Sequence, residues 1–524
     1  MGDDFEMSSL KRHVTTGVVG MLAASLLAAC GSTTATGATP ASGSVPSHSG
    51  TLTIGTYTSY ETFDPATSHT LLDQQIMDNI YGTLLQVSPQ GQLVPNLATH
   101  VAVSSSGLQY VISLQHGVKF QDGTPFNAAA VKYNWERIIN PKTASVQVSN
   151  LGPVTSIVVN STYQLTVNFS KPFAPFMDNL AGPVGMIASP TAIQSEGSSF
   201  GSHPVGAGPF KFQSWVPNGA VTLVRNASYW KSQKPSLNKV VFDPILSAST
   251  LVDALDSGQV QIADVLGPSQ LGQVQSSVAH VSQVAGLGWF GLNLNQTSGP
   301  LSNVHNRRAV QYAINRAVVR NLVFHGTGAL AYSQFSPTSW AYNPNLTIPF
   351  SDTKAKQELS KAGNPQGFSF TVQAQNTSKY ILLTQILQSE LAKVGITMHI
   401  QLLALSTYIT NLNSGAYQAD FINMSGSLDP NSVSYIFDET SADVVKDGFD
   451  DPTVNNLLNA ALATPNQAQR KADYQTIASR MAKDVPMVDL INPAIIVGVS
   501  NKVHGFINFP TQYFYLGRVS LGSK

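Results

Sequence analysis

Residues that could carry out catalysis or bind metals are present in this chain, but their spacing does not form a recognisable reactive group. The eleven histidines are dispersed, and no two stand three or four residues apart, the spacing that places two imidazoles on one helix face. Two pairs of neighbouring acids, Asp438-Glu439 and Asp450-Asp451, are typical of solvated loops or helix caps. The sequence contains neither a Gly-x-x-x-x-Gly-Lys-Ser/Thr phosphate loop nor a His-Glu-x-x-His zinc motif. We therefore expect no metal, no other cofactor and no enzymatic reaction.

Composition and length further limit the class of protein to which this chain could belong. Lys and Arg together number 29, as do Asp and Glu, and no basic stripe is present that could neutralise a phosphate backbone, so we expect no nucleic-acid partner. Charged residues make up only 11% of the chain, so neutral polar groups must solvate most of the surface. Such a surface would suit acidic surroundings, because its net charge changes little as pH falls. A chain of 524 residues exceeds one ordinary hydrophobic core, which predicts at least two lobes.

Residues 1–29 are predicted to be a signal peptide. Lys11 and Arg12 precede an uncharged stretch, 14–29, that is too short to cross a bilayer comfortably. Acidic residues are unusual so close to the start of a signal peptide, so translation could begin at either Met1 or Met7. The pattern predicts an exported protein.

Cys30 is the only cysteine of the chain. It ends the apolar stretch in a sequence that resembles the bacterial lipobox, Leu27-Ala28-Ala29-Cys30-Gly31. That resemblance implies a thioether-linked lipid on Cys30 and cleavage before it; the alternative is a buried thiol. Residues 30–50 are rich in Ser, Thr, Gly, Ala and Pro and predict a flexible tether. The body would thus be lipid-anchored to the cell membrane, facing the periplasm or the cell exterior.

The first part of the body is predicted to be rich in strands. Residues 51–57 and 108–114 alternate apolar and polar side chains, as half-buried strands do. Asn127 can cap a following helix, and hairpin turns are predicted at 160–161 and 217–219.

The later part alternates predicted helices and strands. The predicted helices are 306–325, 380–394 and 466–483, and the predicted strands are 368–374, 396–402 and 487–499. The strand, helix and strand between 368 and 402 form a crossover, which predicts a parallel pair in a three-layer α/β domain.

Several sequence blocks occur in an order that identifies one bacterial family. The most specific block runs from Gly117 to Asn127 and resembles the signature Gly-Val-x-Phe-x-Asp-Gly-x-Pro-Phe that enters a helix. Further matching blocks are 204–210, 225–230, 306–316, 394–396 and 429–430. On these blocks the chain resembles the bacterial extracellular solute-binding proteins of family 5 over about residues 51–510.

The resemblance implies an α/β, two-lobed fold like that of periplasmic binding proteins, with an extra subdomain on the first lobe and a hinged ligand cleft. The implied divisions are a first lobe at 51–295 with a subdomain at about 85–203, a second lobe at 296–489, and a return to the first lobe at 490–524.

The resemblance also implies a function. Members of the family bind a peptide or similar solute in the cleft, act as monomers and deliver the solute to an ABC permease and ATPase complex. A surface sensor or a chaperone-like peptide-binding protein would use the same cleft and remains an alternative. A hydrolase on the same scaffold is a more remote one.

Candidate ligand-binding residues follow from the segments that the family directs inward. They are Tyr57, Thr58, His69, Trp289, Asn293, Trp340, Asn423, Ser425, Gly426 and Ser427. Each could instead serve the core or the surface, because aromatic residues and glycines also have plain structural roles.

The loop before Asp429 bears on the ligand. In peptide-binding relatives an aspartate three residues before the Asp-Pro pair binds the α-amino group of the ligand, and here that position is Gly426. A buried ammonium without a carboxylate partner is unfavourable. We therefore expect a ligand without an obligatory free amino terminus, such as a blocked peptide, a sugar oligomer or another neutral solute. Alternatively, Asp429 or another acid takes over that role.

Overall fold

The computed structural model describes residues 50–57, 59–434 and 447–522. Its strands are, in chain order, β1 Thr51–Thr56, β2 Leu85–Val87, β3 Leu93–Pro95, β4 Ala98–Val103, β5 Gln109–Leu114, β6 Val154–Ser161, β7 Gln164–Phe169, β8 Phe210–Trp215, β9 Val221–Arg225, β10 Lys239–Pro244, β11 Ile262–Ala263, β12 Ala279–Ala285, β13 Trp289–Leu294, β14 Ala329–Leu330, β15 Ser369–Gln375, β16 Thr397–Leu403, β17 Ala419–Met424, β18 Met487–Asn492, β19 Ala494–Ser500, β20 Val503–His504 and β21 Ser520–Leu521. Its α-helices are α1 Leu71–Ile80, α2 Ala128–Ile139, α3 Val148–Leu151, α4 Phe176–Asn179, α5 Pro190–Glu196, α6 Ala248–Asp256, α7 Val304–Ala313, α8 Arg316–Val323, α9 Asp352–Lys361, α10 Ser378–Ala392, α11 Leu405–Ser414, α12 Asn431–Ser434, α13 Pro452–Ala463 and α14 Gln467–Asp484. The predicted signal peptide, Cys30, nearly all of the tether and Thr58 lie outside the described residues, as does the pair Asp438-Glu439.

One sheet organises the first lobe. Its described strands follow the order β12-β19-β11-β1-β10-β9-β8, with β1 parallel to both β10 and β11. The predicted alternation of β1 is confirmed, because Leu52 and Ile54 are fully buried whereas Thr51 is exposed. These two side chains pack into a core with α1 residues such as Ile76.

A four-stranded antiparallel sheet, β4-β5-β7-β6, forms a subdomain on this lobe. The predicted helix cap is confirmed, since the side chain of Asn127 accepts a hydrogen bond from the backbone N–H of Ala130 at 3.0 Å. On α2, Trp135 is fully buried and its indole N–H donates to the carbonyl of Val184 at 2.8 Å. Both predicted hairpins are present as β6–β7 and β8–β9, but the first turns at 162–163, because residues 160–161 still belong to β6.

The second sheet has the strand order β14-β18-β13-β17-β15-β16. Strands β15 and β16 are parallel and α10 connects them, so the predicted β-α-β crossover is confirmed. Alternate residues of β13 enter different cores: Phe290 and Leu292 pack with α7 and α10 on one face, whereas Trp289 packs with α13 and α14 on the other. Helices on both faces make this lobe the expected three-layer α/β domain.

The chain crosses between the two sheets at two adjacent places. Strands β12 and β13 belong to different sheets and are joined by residues 286–288, and β18 and β19 are likewise separated only by Pro493. The N–H of Gly286 donates to the carbonyl of Pro493 at 3.0 Å, which holds the two crossings together. A Cβ on Gly288 would lie 2.5 Å from the carbonyl oxygen of Met424, so only glycine allows this approach.

These crossings correct one sequence prediction and refine another. The single strand predicted at 487–499 is wrong: Pro493, which lacks an N–H, divides it into two strands of different sheets. Strand β13 and residues 490–492 belong to the second sheet, although the predicted boundaries assign them to the first lobe. We therefore propose that the lobes change at 286–288 and at Pro493 instead of at 295 and 489.

The single helix predicted at 306–325 is also wrong. The chain becomes extended at Ile314, and Asn315 then caps α8 by accepting from the backbone N–H of Ala317 at 3.1 Å. The N–H of Asn315 donates to the carboxylate of Glu390 at 2.9 Å, a contact from α10 that local periodicity does not reveal. After this break Leu322, on α8, is 53% exposed, so α8 does not continue one buried apolar face from α7.

The two lobes also meet away from the crossings. The N–H of Ala174 in the subdomain donates to the carbonyl of Leu462 on α13 at 3.1 Å. Leu428, in the loop that follows β17, packs against the hydrophobic core of the subdomain. Within the described ranges, no helix has both the length and the hydropathy of a membrane span.

Candidate functional site

Two adjoining cavities lie where the lobes face each other, and together they are called the cleft below. The smaller, of about 190 Å³, is lined by Leu71, Gln74, Gln147, Asn150, Asp178, Asn179, Gly182, Pro183, Val184, Gly426, Ser427, Leu428, Thr511 and Tyr513. The larger, of about 620 Å³, is lined by Val87, Gln90, Gly91, Gln92, Leu93, Asp178, Leu287, Thr338, Ser339, Trp340, Leu428, Gln467, Pro510 and Thr511. Asp178, Leu428 and Thr511 line both, so the two cavities share one wall.

The first lobe supplies mainly amides to the smaller cavity, and neighbouring groups hold several of them. The side-chain N–H of Gln147 donates to the carbonyl of Ser68 at 2.9 Å, and its oxygen accepts from Asn150 at 2.8 Å. Asn179 donates in turn to the carbonyl of Asn150 at 2.7 Å. This wall is therefore preorganised and uncharged apart from Asp178.

The second lobe supplies the loop after β17. A Cβ on Gly426 would lie 2.1 Å from the Cβ of Leu287 and 2.5 Å from the backbone nitrogen of Gly288. Gly426 thus has a structural reason to be glycine, since it lets this loop rest on the crossing between the lobes. The backbone of 426–428 is held at the cleft without a large side chain before Leu428.

Asp429, directly after this loop, is committed to an internal ion pair. It is fully buried, and both of its carboxylate oxygens accept from Nη2 of Arg470, at 2.8 and 2.7 Å. One oxygen also accepts the backbone N–H of Asn431 at 2.8 Å. The guanidinium of Arg470 lies over the rings of Trp340 and Tyr474, 5.2 and 5.7 Å from their centroids. Asp429 therefore has a structural role and does not line either cavity of the cleft.

Asp178 on α4 is the functional candidate that sequence reasoning missed. It lines both cavities, and the described lining residues of the two cavities include no lysine, arginine or histidine. Burial raises the pKa of its carboxyl well above the ordinary value; Asp429 raises this pKa further, and Arg470 opposes the shift. No local sequence motif marks Asp178. It is a candidate because it lies close to Asp429, which is 251 residues away along the chain.

The structure brings three of the predicted site residues to the cleft. Gly426 and Ser427 line the smaller cavity, and Trp340 lines the larger one. Ser425 is exposed beside them in the same loop.

Two further predicted residues line a different cavity, of about 390 Å³, within the second lobe. These are Asn423, which is exposed, and Asn293, which is buried. Asn293 donates to the carboxylate of Asp447 at 3.1 Å and to the hydroxyl of Tyr417 at 3.4 Å. Its amide is therefore engaged within the lobe.

The remaining described candidates do not line the cleft. Trp289 is fully buried in the core of the second lobe. His69 is exposed, with Nε2 3.3 Å from a carboxylate oxygen of Glu61. Tyr57 follows β1 directly and is 45% exposed; partial burial of its phenol, and next the charge of Asp264, raise its pKa.

Groups that could suggest an enzyme have structural explanations. Residues 197–201 read Gly-Ser-Ser-Phe-Gly, the spacing of a serine nucleophile elbow, but they lie in a 3-10 helix that follows α5. A nucleophile elbow is a strand-to-helix turn. Asp451 caps α13 by accepting from the backbone N–H of Thr453 at 2.8 Å, as expected for the acid pair. No cluster of three or more metal-binding side chains is found in the described ranges.

Two lobes joined by a double crossing, with a cleft between them, define the class of two-lobed periplasmic binding proteins. DppA from Helicobacter pylori, an ABC transporter-associated periplasmic binding protein solved with the peptide STSA, matches 90% of this chain and 98% of its own with a TM-score of 0.74 and 25% identity. CtaP from Listeria monocytogenes shares the fold with a TM-score of 0.82 at 18% identity, covering 90% of this chain and 99% of its own.

Sequence comparison gives the family. The model of the bacterial extracellular solute-binding proteins, family 5, matches residues 92–443. The glutathione-binding protein GsiB from Pectobacterium atrosepticum is 26% identical over 481 residues, which is 87% of this chain and 91% of that protein. The chain belongs to the bacterial extracellular solute-binding proteins of family 5, as its sequence blocks predict.

Proposed function

We propose that this protein is the receptor of an ABC importer, which captures a peptide or a similar solute in the cleft and delivers it to a membrane permease. The cleft itself carries this proposal, because walls from both lobes enclose it and the walls contain fixed amides, backbone groups and an aromatic ring. Hinged closure of two lobes around a solute is a common way to exclude water from it.

The direct ligand contacts that we propose are in the loop after β17 and on the aromatic wall. Gly426 and Ser427 offer backbone groups and a hydroxyl, with Ser425 next to them, and Trp340 offers a ring for stacking. Arg470 and Tyr474 pack against that ring and would fix its orientation. Tyr57, Thr58, His69, Trp289, Asn293 and Asn423 remain proposals with less support, since none of the described ones lines the cleft.

The proposed role is passive, without catalysis. Binding to the native state alone stabilises it, so a solute should raise the melting temperature of the purified protein while remaining chemically unchanged. The measurement is differential scanning fluorimetry with a solute panel, followed by mass spectrometry of the recovered solutes. Turnover that persists through repurification and disappears with Asp178→Asn would instead support an enzyme.

We also propose that residues 1–29 direct export and that Cys30 carries the lipid anchor, with 30–50 as the tether. The arrangement of a basic start, an apolar stretch and a lone cysteine supports this. Metabolic labelling with a radioactive fatty acid should mark the full-length protein and not Cys30→Ala. Equal labelling of the two would contradict the anchor and would leave the proposed binding function unaffected.

A further inference from the structure

Two carboxyl groups and one guanidinium meet at the wall of the cleft within the described part of the protein. The carboxyl of Asp178 is hydrogen-bonded to Asp429, and among the described residues Arg470 is the cation that acts on both acids. Arg470 places Nη2 between the two oxygens of Asp429, so the ion pair of the second lobe is complete without Asp178. Two carboxyl groups thus share one guanidinium, and the cleft-facing carboxyl has no cation of its own among the described residues.

The composition of the cleft walls indicates which charge a ligand should carry. Among the described residues that line the two cavities, Asp178 is the only one with an ionisable carboxyl or basic group. A solute with a carboxylate inside the cleft would meet no basic side chain and would lie near a like charge, which is unfavourable in a desolvated site. A protonated amine could instead replace the proton of Asp178 and form a charge-assisted hydrogen bond with the carboxylate.

We propose that Asp178 is the specificity-determining residue of the cleft and binds a protonated amine of the solute, which carries no carboxylate inside the two cavities. The proposal rests on the proposed receptor function and defines the class of its ligand. Gly426 has no carboxylate, so the second lobe cannot bind an amino group from that position. In this proposal an acid of the first lobe binds the amino group instead.

Binding of such a ligand should release a proton. The groups that influence the Asp178 carboxyl or are influenced by it are Asp429, Arg470, Tyr474 and Tyr513. Burial and Asp429 favour the protonated form of Asp178 in the empty protein, whereas a bound ammonium favours the carboxylate. The proton then passes to solvent, and the ammonium replaces it as the partner of Asp178.

The test uses four forms of one tripeptide, Ala-Leu-Ala, with its amino end free or acetylated and its carboxyl end free or amidated. Calorimetric titration at pH 7 compares the cation, the zwitterion, the neutral form and the anion on the same backbone. The wild-type protein should bind the free-amine amide most tightly. In Asp178→Asn that affinity should fall roughly thirtyfold or more, to the level of the acetylated amide, whose affinity should not change.

Proton linkage separates a direct charge contact from a merely structural one. Titrating the free-amine amide in two buffers of different ionisation enthalpy should show release of up to about one proton per ligand by the wild type, and none by Asp178→Asn. Asp253→Asn is the matched control, because it removes the same charge from the exposed face of α6. It should behave as the wild type in both measurements.

The inference is overturned if the acetylated amide binds the wild type as tightly as the free amine, or if Asp178→Asn keeps the amine preference. Tighter binding of a carboxylate form than of its amide also overturns it, as does failure of all four forms to bind. None of these outcomes tests the receptor function itself. That function is tested separately, by identifying the solute that the natively purified protein releases on denaturation.

Discussion

The two walls of the cleft each contribute an aspartate, and the two aspartates differ in what surrounds them. Asp429 on the second lobe is fully buried, accepts a hydrogen bond from the backbone N–H of Asn431 and has both oxygens on Arg470. Asp178 on the first lobe lines both cavities, is hydrogen-bonded to Asp429 and has no cation of its own in the part of the chain that the structure describes. A carboxylate with all its partners inside the protein stabilises the fold, whereas one that lacks a cation at a cavity wall is available to a ligand.

The largest expected effect comes from breaking the internal ion pair. Asp429→Asn leaves the buried guanidinium of Arg470 without its charge partner, so the free energy of unfolding should fall by about 3–5 kcal/mol. Asp178→Asn should change it by less than about 1 kcal/mol, or increase it, because no ion pair is lost. Urea denaturation at pH 7 measures both. Equal losses for the two variants would contradict the distinction between the walls.

The loop between the two lobes offers a second test. Gly426→Ala places a methyl group 2.1 Å from the Cβ of Leu287, so the loop or the crossing must shift. We expect a loss of about 1–3 kcal/mol in stability together with weaker solute binding. Gly272→Ala is the control, because no atom lies within 4 Å of its added Cβ and its backbone is not in the left-handed region. A Gly426 variant as stable as this control would remove the structural reason for glycine.

Asp264 is a second buried carboxyl group with a raised pKa, and it lies away from the cleft. It is fully buried at the end of β11, and burial raises its pKa to about 7. The folded state holds this proton more tightly than the unfolded state. Protonated Asp264 therefore contributes its full stabilisation to the free energy of unfolding below about pH 4. That effect is lost as pH rises through 7.

Asp264→Asn removes this pH dependence, so its gain in stability over the wild type should grow by about 2.7 kcal/mol between pH 5 and 8, about 1.4 kcal/mol for each of the two pH units below the pKa of about 7. The gain should be smaller at pH 5, because the folded protein still holds the proton that the unfolded chain has released. Thermal unfolding from pH 5 to 8 measures both the wild type and the variant. A wild type that is less stable at pH 5 than at pH 8 would contradict this prediction and the suggested suitability for acidic surroundings.

Removal of an exposed ion pair should change the free energy of unfolding least. Lys132 and Glu136 are one helical turn apart on α2, with 3.6 Å between nitrogen and oxygen and side chains that are 37% and 57% exposed. Solvent screens such a pair, so Lys132→Ala should change the free energy of unfolding by less than about 0.5 kcal/mol. A loss comparable to that of Asp429→Asn would mean that burial does not determine the strength of these charge pairs.

Features that depend on nearby residues could be predicted from the sequence. The Asn127 cap depends on residues within one helical turn. The β15–α10–β16 crossover depends on three consecutive elements of the chain. The family blocks also predicted the two-lobed fold, because their glycines and prolines keep the same order along the chain.

Features that depend on distant residues could not be predicted. The break at Asn315 depends on Glu390, 75 residues away, and Arg470 meets Asp429 across 41 residues. In the candidate site, Gly426, Ser427 and Trp340 could be chosen because the family blocks locate their loops. Asp178 could not, because its importance depends on its position opposite Asp429, which only the packing of the two lobes reveals.

The most direct test of the receptor function is native mass spectrometry of the protein isolated without denaturation from the cells that produce it. We predict a population with one small solute per chain, and the solute should be lost on unfolding and identified as a compound that carries an amino group. The same solute should rebind the refolded wild type and rebind Asp178→Asn more weakly. A mass equal to the bare polypeptide, with no solute released on unfolding, would contradict the claim that this cleft holds a transported solute.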